Sequence, residues 1–219
     1  IGFRDVWMLL IIGACTWIAV RIFYLLYRSG KPLYNRSPGP LRTLIVLGSG
    51  GHTAEMMNLL SAMDLHLFKP RYYIAAASDG MSLQKARVFE DSLNGEAVGS
   101  CRFEQIYRSR EVGQSYITSI CTTLIALIHA LRLMISIRPQ VILCNGPGTC
   151  IPLCAIAFAF KAVGMRWSSI FYVESIARVK RLSLSGYLVY KLRMADVVFV
   201  QWPQLKDKYP RANYVGRLM

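Results

Sequence analysis

The sequence predicts an α/β fold, a parallel sheet wrapped by helices, preceded by one transmembrane helix at the N-terminus. Three observations carry that prediction. A long apolar run opens the chain, short aliphatic runs then alternate with helix-like stretches, and glycine-rich turns close two of those runs. Alternation of this kind marks βα units rather than an all-helical or all-β chain.

The opening run contains no charged residue from Val6 to Val20, and beyond Arg21 it continues through Ile22, Phe23, Tyr24, Leu25, Leu26 and Tyr27. That is long enough to cross a bilayer. Where a cleaved leader would end in small residues, this one ends among Arg21, Arg28, Lys31 and Arg36, beside Tyr24 and Tyr27, so it reads as an uncleaved anchor over residues 1–28. Only Arg4, offset by Asp5, precedes the run, and the positive-inside rule therefore places the rest of the chain in the cytosol. Arg21 keeps an interfacial helix open as the alternative. Residues 29–42, SGKPLYNRSPGPLR, carry three prolines and two glycines and read as a juxtamembrane linker.

The folded domain is expected over residues 43–219, since 219 residues hold one ordinary domain and a short appendage. Strands are predicted near Thr43 to Leu47, Tyr72 to Ala76, Phe103 to Tyr107, Val141 to Cys144, Ile170 to Val173 and Val197 to Gln201. Helices are predicted near Thr53 to Met63, Ser82 to Asp91, Ser115 to Ile137, Thr149 to Val163 and Ser183 to Leu192. The third helix is apolar enough for a second span, but its place between two strands favours a core or membrane-surface helix. Trp202-Pro203 and Asp79-Gly80 read as packed turns.

The chain carries 26 basic and 12 acidic residues, a net charge of +14, yet 54% of it is hydrophobic and its mean hydropathy is positive. Basic and apolar together suit a membrane surface or a phosphate-bearing lipid, and no nucleic acid is expected. The six cysteines are scattered through apolar runs, without a disulfide framework or zinc spacing. Cys150 and Cys154, four apart, have no histidines in a matching pattern, so neither a metal nor a cofactor is predicted.

The first strand runs into Gly48-Ser49-Gly50-Gly51-His52-Thr53 and then a helix. Glycines permit the tight turn, and the helix N-terminus offers unpaired N–H groups to a phosphate. As a dinucleotide fingerprint the turn is imperfect, because Thr53 holds the third glycine position and no acid follows about 20 residues on, which weakens a dehydrogenase reading. A second turn, Asn145-Gly146-Pro147-Gly148-Thr149, follows the fourth strand, and two such loops at one sheet edge form a diphosphate cleft. Thr53 and Thr149 are expected to cap their helices.

His52, at the mouth of the first turn, is a candidate proton acceptor near neutrality, with a helix cap or a packing histidine as the alternative. The fifth strand delivers Glu174 and Ser175 to the same edge, where a carboxylate can bind a sugar hydroxyl or act as a base, or else pair with Arg178 or Lys180. Arg108 and Arg110, after the third strand, suit phosphate contacts as well as they suit a surface ion pair with Glu111.

Taken in order, VLGSGGHTAEM (Val46 to Met56), SREV (Ser109 to Val112), CNGPGTC (Cys144 to Cys150), YVESIARV (Tyr172 to Val179), LSLSG (Leu182 to Gly186), VQWPQLKDKYP (Val200 to Pro210) and YVGR (Tyr214 to Arg217) form a specific set. With them the chain resembles the Alg14 family, membrane-anchoring subunits of the eukaryotic transferase that adds the second N-acetylglucosamine to dolichol-linked N-glycan precursors. The resemblance runs from Leu44 to Met219. More distantly the chain is similar to the N-terminal half of MurG-like GT-B glycosyltransferases, where His52 matches the histidine of a G-G-H loop and Glu174 falls at a comparable strand end.

The resemblance implies a Rossmann-like half of a split GT-B enzyme at the cytosolic face of the endoplasmic reticulum. It implies an acceptor, N-acetylglucosaminyl-diphospho-dolichol, and a cytosolic catalytic partner that binds UDP-N-acetylglucosamine. The end of the sequence at Met219, where a GT-B chain would begin its second domain, agrees with that expectation. The catalytic candidates are then His52 and Glu174. The acceptor diphosphate would be held by Gly48, Ser49, Gly50, Gly51, Thr53, Arg108, Arg110, Asn145, Gly146, Gly148 and Thr149. A non-catalytic scaffold for the partner is the rival reading.

Overall fold

The computed structural model describes residues 2–29, 39–93, 101–108, 115–146 and 148–217. After helix α1 (Phe3–Arg28), strands and helices alternate: β1 (Thr43–Val46), α2 (Gly51–Ser61), β2 (Arg71–Ala76), α3 (Gly80–Ser92), β3 (Cys101–Ile106), α4 (Tyr116–Ile137), β4 (Val141–Asn145), α5 (Cys150–Ala162), β5 (Ser169–Val173), α6 (Leu184–Lys191), β6 (Val197–Val200), α7 (Pro203–Lys208) and β7 (Asn213–Tyr214). The strands form one parallel sheet in the order β3-β2-β1-β4-β5-β6-β7.

Strand β1, TLIV, is buried at every position because helices cover both faces of the sheet. The pleat sends alternate side chains to opposite layers. Leu44, Val46, Ile74, Ile142 and Cys144 pack with residues of α4, α5, α6 and α7. Ile45, Leu47, Tyr73, Ala75 and Leu143 pack with α2 and α3. Chain direction across the sheet turns at the β1–β4 pair: β2 and β3 lie on one side of β1, and β4 through β7 on the other. Open α/β sheets bind their ligands in the crevice beyond the carboxyl ends of such a pair.

Helix α1 is exposed along most of its length and, among the described residues, meets the domain through its C-terminal half. There Leu25 is buried, Arg21 Nη2 donates to the Lys161 carbonyl at 2.9 Å, and Arg193 Nη1 donates to the Leu26 carbonyl at 2.7 Å. The charge inside the apolar run is therefore spent on docking α1 against α5. Helix α4 packs Ala126, Ala130, Met134 and Ile137 inward and leaves Leu124, Ile125, Ile128, Leu131 and Ile135 exposed, as a helix with one covered face does. Helices α1 and α4 are both long and apolar enough to cross a membrane, and both pack on α5.

Two elements escaped the sequence reading. Trp202-Pro203 opens the short helix α7, with Trp202 as N-cap and Pro203 at a position that needs no N–H, where a turn was expected. Strand β7 has only two residues, too few for periodicity to show.

Candidate active site

The first turn leaves β1 at Leu47 and enters α2 at Gly51, with Gly50 as N-cap. Gly48 is buried, Ser49, Gly50 and Gly51 are exposed, and His52 is half-buried. Thr53 does not cap the helix. It is fully buried, and its hydroxyl bonds back to the Gly48 carbonyl and lies 2.7 Å from the Ser82 hydroxyl, which also meets Asp79. Asp79 is thus an N-cap for α3, accepting from the Ser82 N–H, rather than only a turn residue. Thr149 stands at the N-cap position of α5, but its side chain makes no cap bond.

The second turn leaves β4 at Asn145 and enters α5 at Cys150, so the N-termini of α2 and α5 flank the β1–β4 crevice. The two turns touch: His52 Nδ1 and Asn145 Oδ1 are 2.9 Å apart. Gly146 has φ +74°, and a Cβ on it would sit 2.3 Å from His52 Cε1, so only glycine lets the imidazole lie against this backbone. Behind Asn145, its Nδ2 donates to Glu55 Oε2 at 3.0 Å, and Ser175 Oγ donates to Glu55 Oε1 at 2.6 Å. Glu55 and Asn145 are both buried. A bonded row therefore runs from His52 on α2 through β4 and back to α2, ending at the tip of β5.

Glu174 lies at the end of β5, as expected, but its side chain has 0% exposure. Its Oε2 accepts from the Ser183 N–H at 2.9 Å and the Ser183 hydroxyl at 3.1 Å, and Oε1 accepts from the Ser175 N–H at 3.2 Å. Burial pushes this carboxyl above the ordinary carboxylate range, against the pull of those N–H and O–H groups and of Arg178. A Cβ on Gly186 would come within 2.2 Å of Glu174 Oε2. The carboxylate thereby ties the β5–α6 connection to the start of α6.

Arg108 is half-buried just after β3, and Gly148 is exposed at the start of the second turn. Arg110 and Glu111 lie outside the described residues. Cys144 and Cys154 are buried with their sulfurs 3.7 Å apart. The structure thus gathers His52, Asn145, Gly146 and the glycine turns into one crevice, with Glu174 sealed beside it. Sequence reasoning missed Glu55. The available signal was spacing, because Glu55 follows His52 by three residues on one helix and so shares its face.

With this geometry in view, the family profile described as "Oligosaccharide biosynthesis protein Alg14 like" matches residues 43–218. The chain belongs to the Alg14 family. Among its relatives, the mouse protein named UDP-N-acetylglucosamine transferase subunit ALG14 is 37% identical over 217 residues, which cover 97% of this chain and 99% of that one. The Yarrowia lipolytica subunit of the same name is 39% identical, covering 92% and 93% of the two chains, and the human subunit is 40% identical, covering 82% and 83%. A crystal structure of Acinetobacter baumannii MurG superposes with a TM-score of 0.51 at 16% identity, over 80% of this chain and 44% of that chain. This likeness shows the fold, a Rossmann-like parallel sheet of the GT-B kind, and the chain spans less than half the length of MurG.

Proposed function

We propose that this Alg14-family chain is the membrane-anchoring, acceptor-binding subunit of a two-chain inverting N-acetylglucosaminyltransferase. The donor would be UDP-N-acetylglucosamine, held by a cytosolic catalytic partner, and the acceptor N-acetylglucosaminyl-diphospho-dolichol. The observation that carries this reading is the β1–β4 crevice, where two glycine-rich helix N-termini converge under a half-exposed histidine. Helix N-termini attract phosphate oxygens through their free N–H groups and dipoles. Arg108, just after β3, would add charge, and Arg110 is given the same role in this reading.

In the proposed reaction the 4-hydroxyl of the acceptor sugar attacks the donor anomeric carbon, forming a β-1,4 bond. The bond to the diphosphate breaks, uridine diphosphate leaves, and His52 Nε2 takes the hydroxyl proton. Glu174 is the weaker base candidate because its oxygens are turned inward and occupied. Helix α1 supplies the anchor in the endoplasmic reticulum membrane, and the domain faces the cytosol. The exposed apolar face of α4, beside α1 on α5, would rest on the same membrane surface.

Photolabelling with a reactive sugar-diphospho-lipid, on the assembled two-chain enzyme, tests this reading. Label is expected on this chain in the segments 48–53 and 145–149. Label confined to the partner would leave this chain as a scaffold and defeat the proposal.

A further inference from the structure

Glu55 is a buried carboxylate that the reaction above does not use. A carboxylate only accepts hydrogen bonds, so the group that Asn145 presents to it at 3.0 Å is the amide N–H, and this fixes which way the Asn145 amide points. The carbonyl oxygen of Asn145 then faces His52 Nδ1 at 2.9 Å. A carbonyl oxygen also only accepts. Nδ1 must therefore carry the proton, and in the neutral ring Nε2 holds the bare lone pair. Among the described residues Nε2 has no hydrogen-bond partner.

We propose that Glu55 and Asn145 are positioning residues that hold the His52 imidazole in its Nδ1–H tautomer and so keep Nε2 ready to take a proton. The inference rests on the reading of His52 as the base and adds the device that makes it one. Left to itself, a neutral imidazole favours the proton on Nε2, where it would block the base. Ser175, donating to the other Glu55 oxygen, fixes the carboxylate plane from the tip of β5. When His52 takes the sugar hydroxyl proton on Nε2, both ring nitrogens carry hydrogen. Nδ1–H still donates to Asn145, and the Glu55 charge stabilises the imidazolium through the polarised amide. No proton moves along the row.

The test uses the full chain with its partner subunit. With ¹⁵N-histidine labelling, the ring signals of His52 are identified by their loss in His52→Ala. The expected wild-type spectrum has the proton on Nδ1, whereas a spectrum with the proton on Nε2 would overturn the proposal whatever the kinetics. Loss of the base reading alone would show differently, as an Nδ1–H spectrum together with near-normal turnover in His52→Ala.

Asn145→Leu should release the tautomer and lower kcat about 10- to 100-fold, with a much smaller change in acceptor KM. Because that variant can also disturb folding, the decisive comparison is the double variant Glu55→Gln with Asn145→Asp. There the new glutamine N–H donates to the new aspartate, which still accepts from Nδ1–H, so every bond of the row survives, the 55–145 bond with its direction reversed, while the charge moves next to the ring. Turnover should recover to well above Asn145→Leu. The acid limb of the pH profile should move up by about one unit or more, because an adjacent carboxylate stabilises imidazolium. A double variant no faster than Asn145→Leu, or with an unmoved acid limb, would reduce the row to a structural tie and overturn the proposal.

Discussion

The turn after β1 and the turn after β5 each bring one candidate base to the same edge of the sheet, and they are built in opposite ways. In the first, His52 is half-exposed, with one ring nitrogen bonded to Asn145 and no partner for the other among the described residues. In the second, Glu174 has no exposed surface and both its oxygens accept hydrogen bonds from Ser175 and Ser183. A proton acceptor must reach the group it deprotonates. An acid with no exposed surface, whose two oxygens already accept three hydrogen bonds from backbone and hydroxyl donors, is instead suited to holding a loop. In the proposed reaction the first turn therefore carries the chemistry, and the second serves as architecture.

The largest expected effect lies at the first turn. His52→Ala should lower turnover of the two-chain enzyme by about 10²- to 10⁴-fold, the range that a positioned base contributes. Its thermal stability should barely change, since the ring is half-exposed and rests on glycine backbone. Turnover close to wild type in a steady-state assay would move the base elsewhere and erase the contrast between the turns.

Much of this arrangement was legible in the residues. The glycine turns, His52 and Glu174 were visible because each follows an aliphatic run, and strand ends in α/β sheets converge on one edge. The direction in which each side chain points was not. Glu174 is sealed by Ser183, nine residues on, and by the missing side chain at Gly186, contacts that depend on how α6 returns to β5. Asn145 is expected among the phosphate contacts, and what the sequence could not show is that its amide also bonds His52 and Glu55 across separations of 93 and 90 residues. Arg21 left an interfacial helix open as the alternative to a span, and only the fold shows the Lys161 carbonyl it serves.

A middle-sized effect is expected from crowding the second turn. Gly186→Ala would place a methyl group 2.2 Å from Glu174 Oε2 and 3.1 Å from both Ser183 Oγ and Tyr172 Cε1. Overpacking of this sort costs about 1–3 kcal/mol. A chain of this size should lose roughly 2–4 °C in melting temperature per kcal/mol. An unchanged melting temperature of the complex would mean that the Glu174 anchor is loose.

The smallest effect belongs to Glu174→Gln, and its sign with pH is the sharpest check on the comparison. Burial raises the folded-state pKa of this carboxyl, so the folded chain binds the proton more tightly than the unfolded one. The stabilisation from that proton is complete below the unfolded value, about 4.3, and is lost as pH rises through the folded value. Glutamine cannot titrate. The melting temperature of the variant, relative to wild type, should therefore rise as pH increases through the folded-state value. Glutamine keeps one acceptor oxygen for Ser183 but turns an N–H toward Ser175, a mismatch that offsets part of the gain. The net change near neutrality should stay within about 1–2 kcal/mol. Turnover should fall by less than about tenfold, as for a residue that supports the site without touching substrate. A loss as large as that of His52→Ala, with melting unchanged, would make Glu174 the base and reverse the assignment of the two turns.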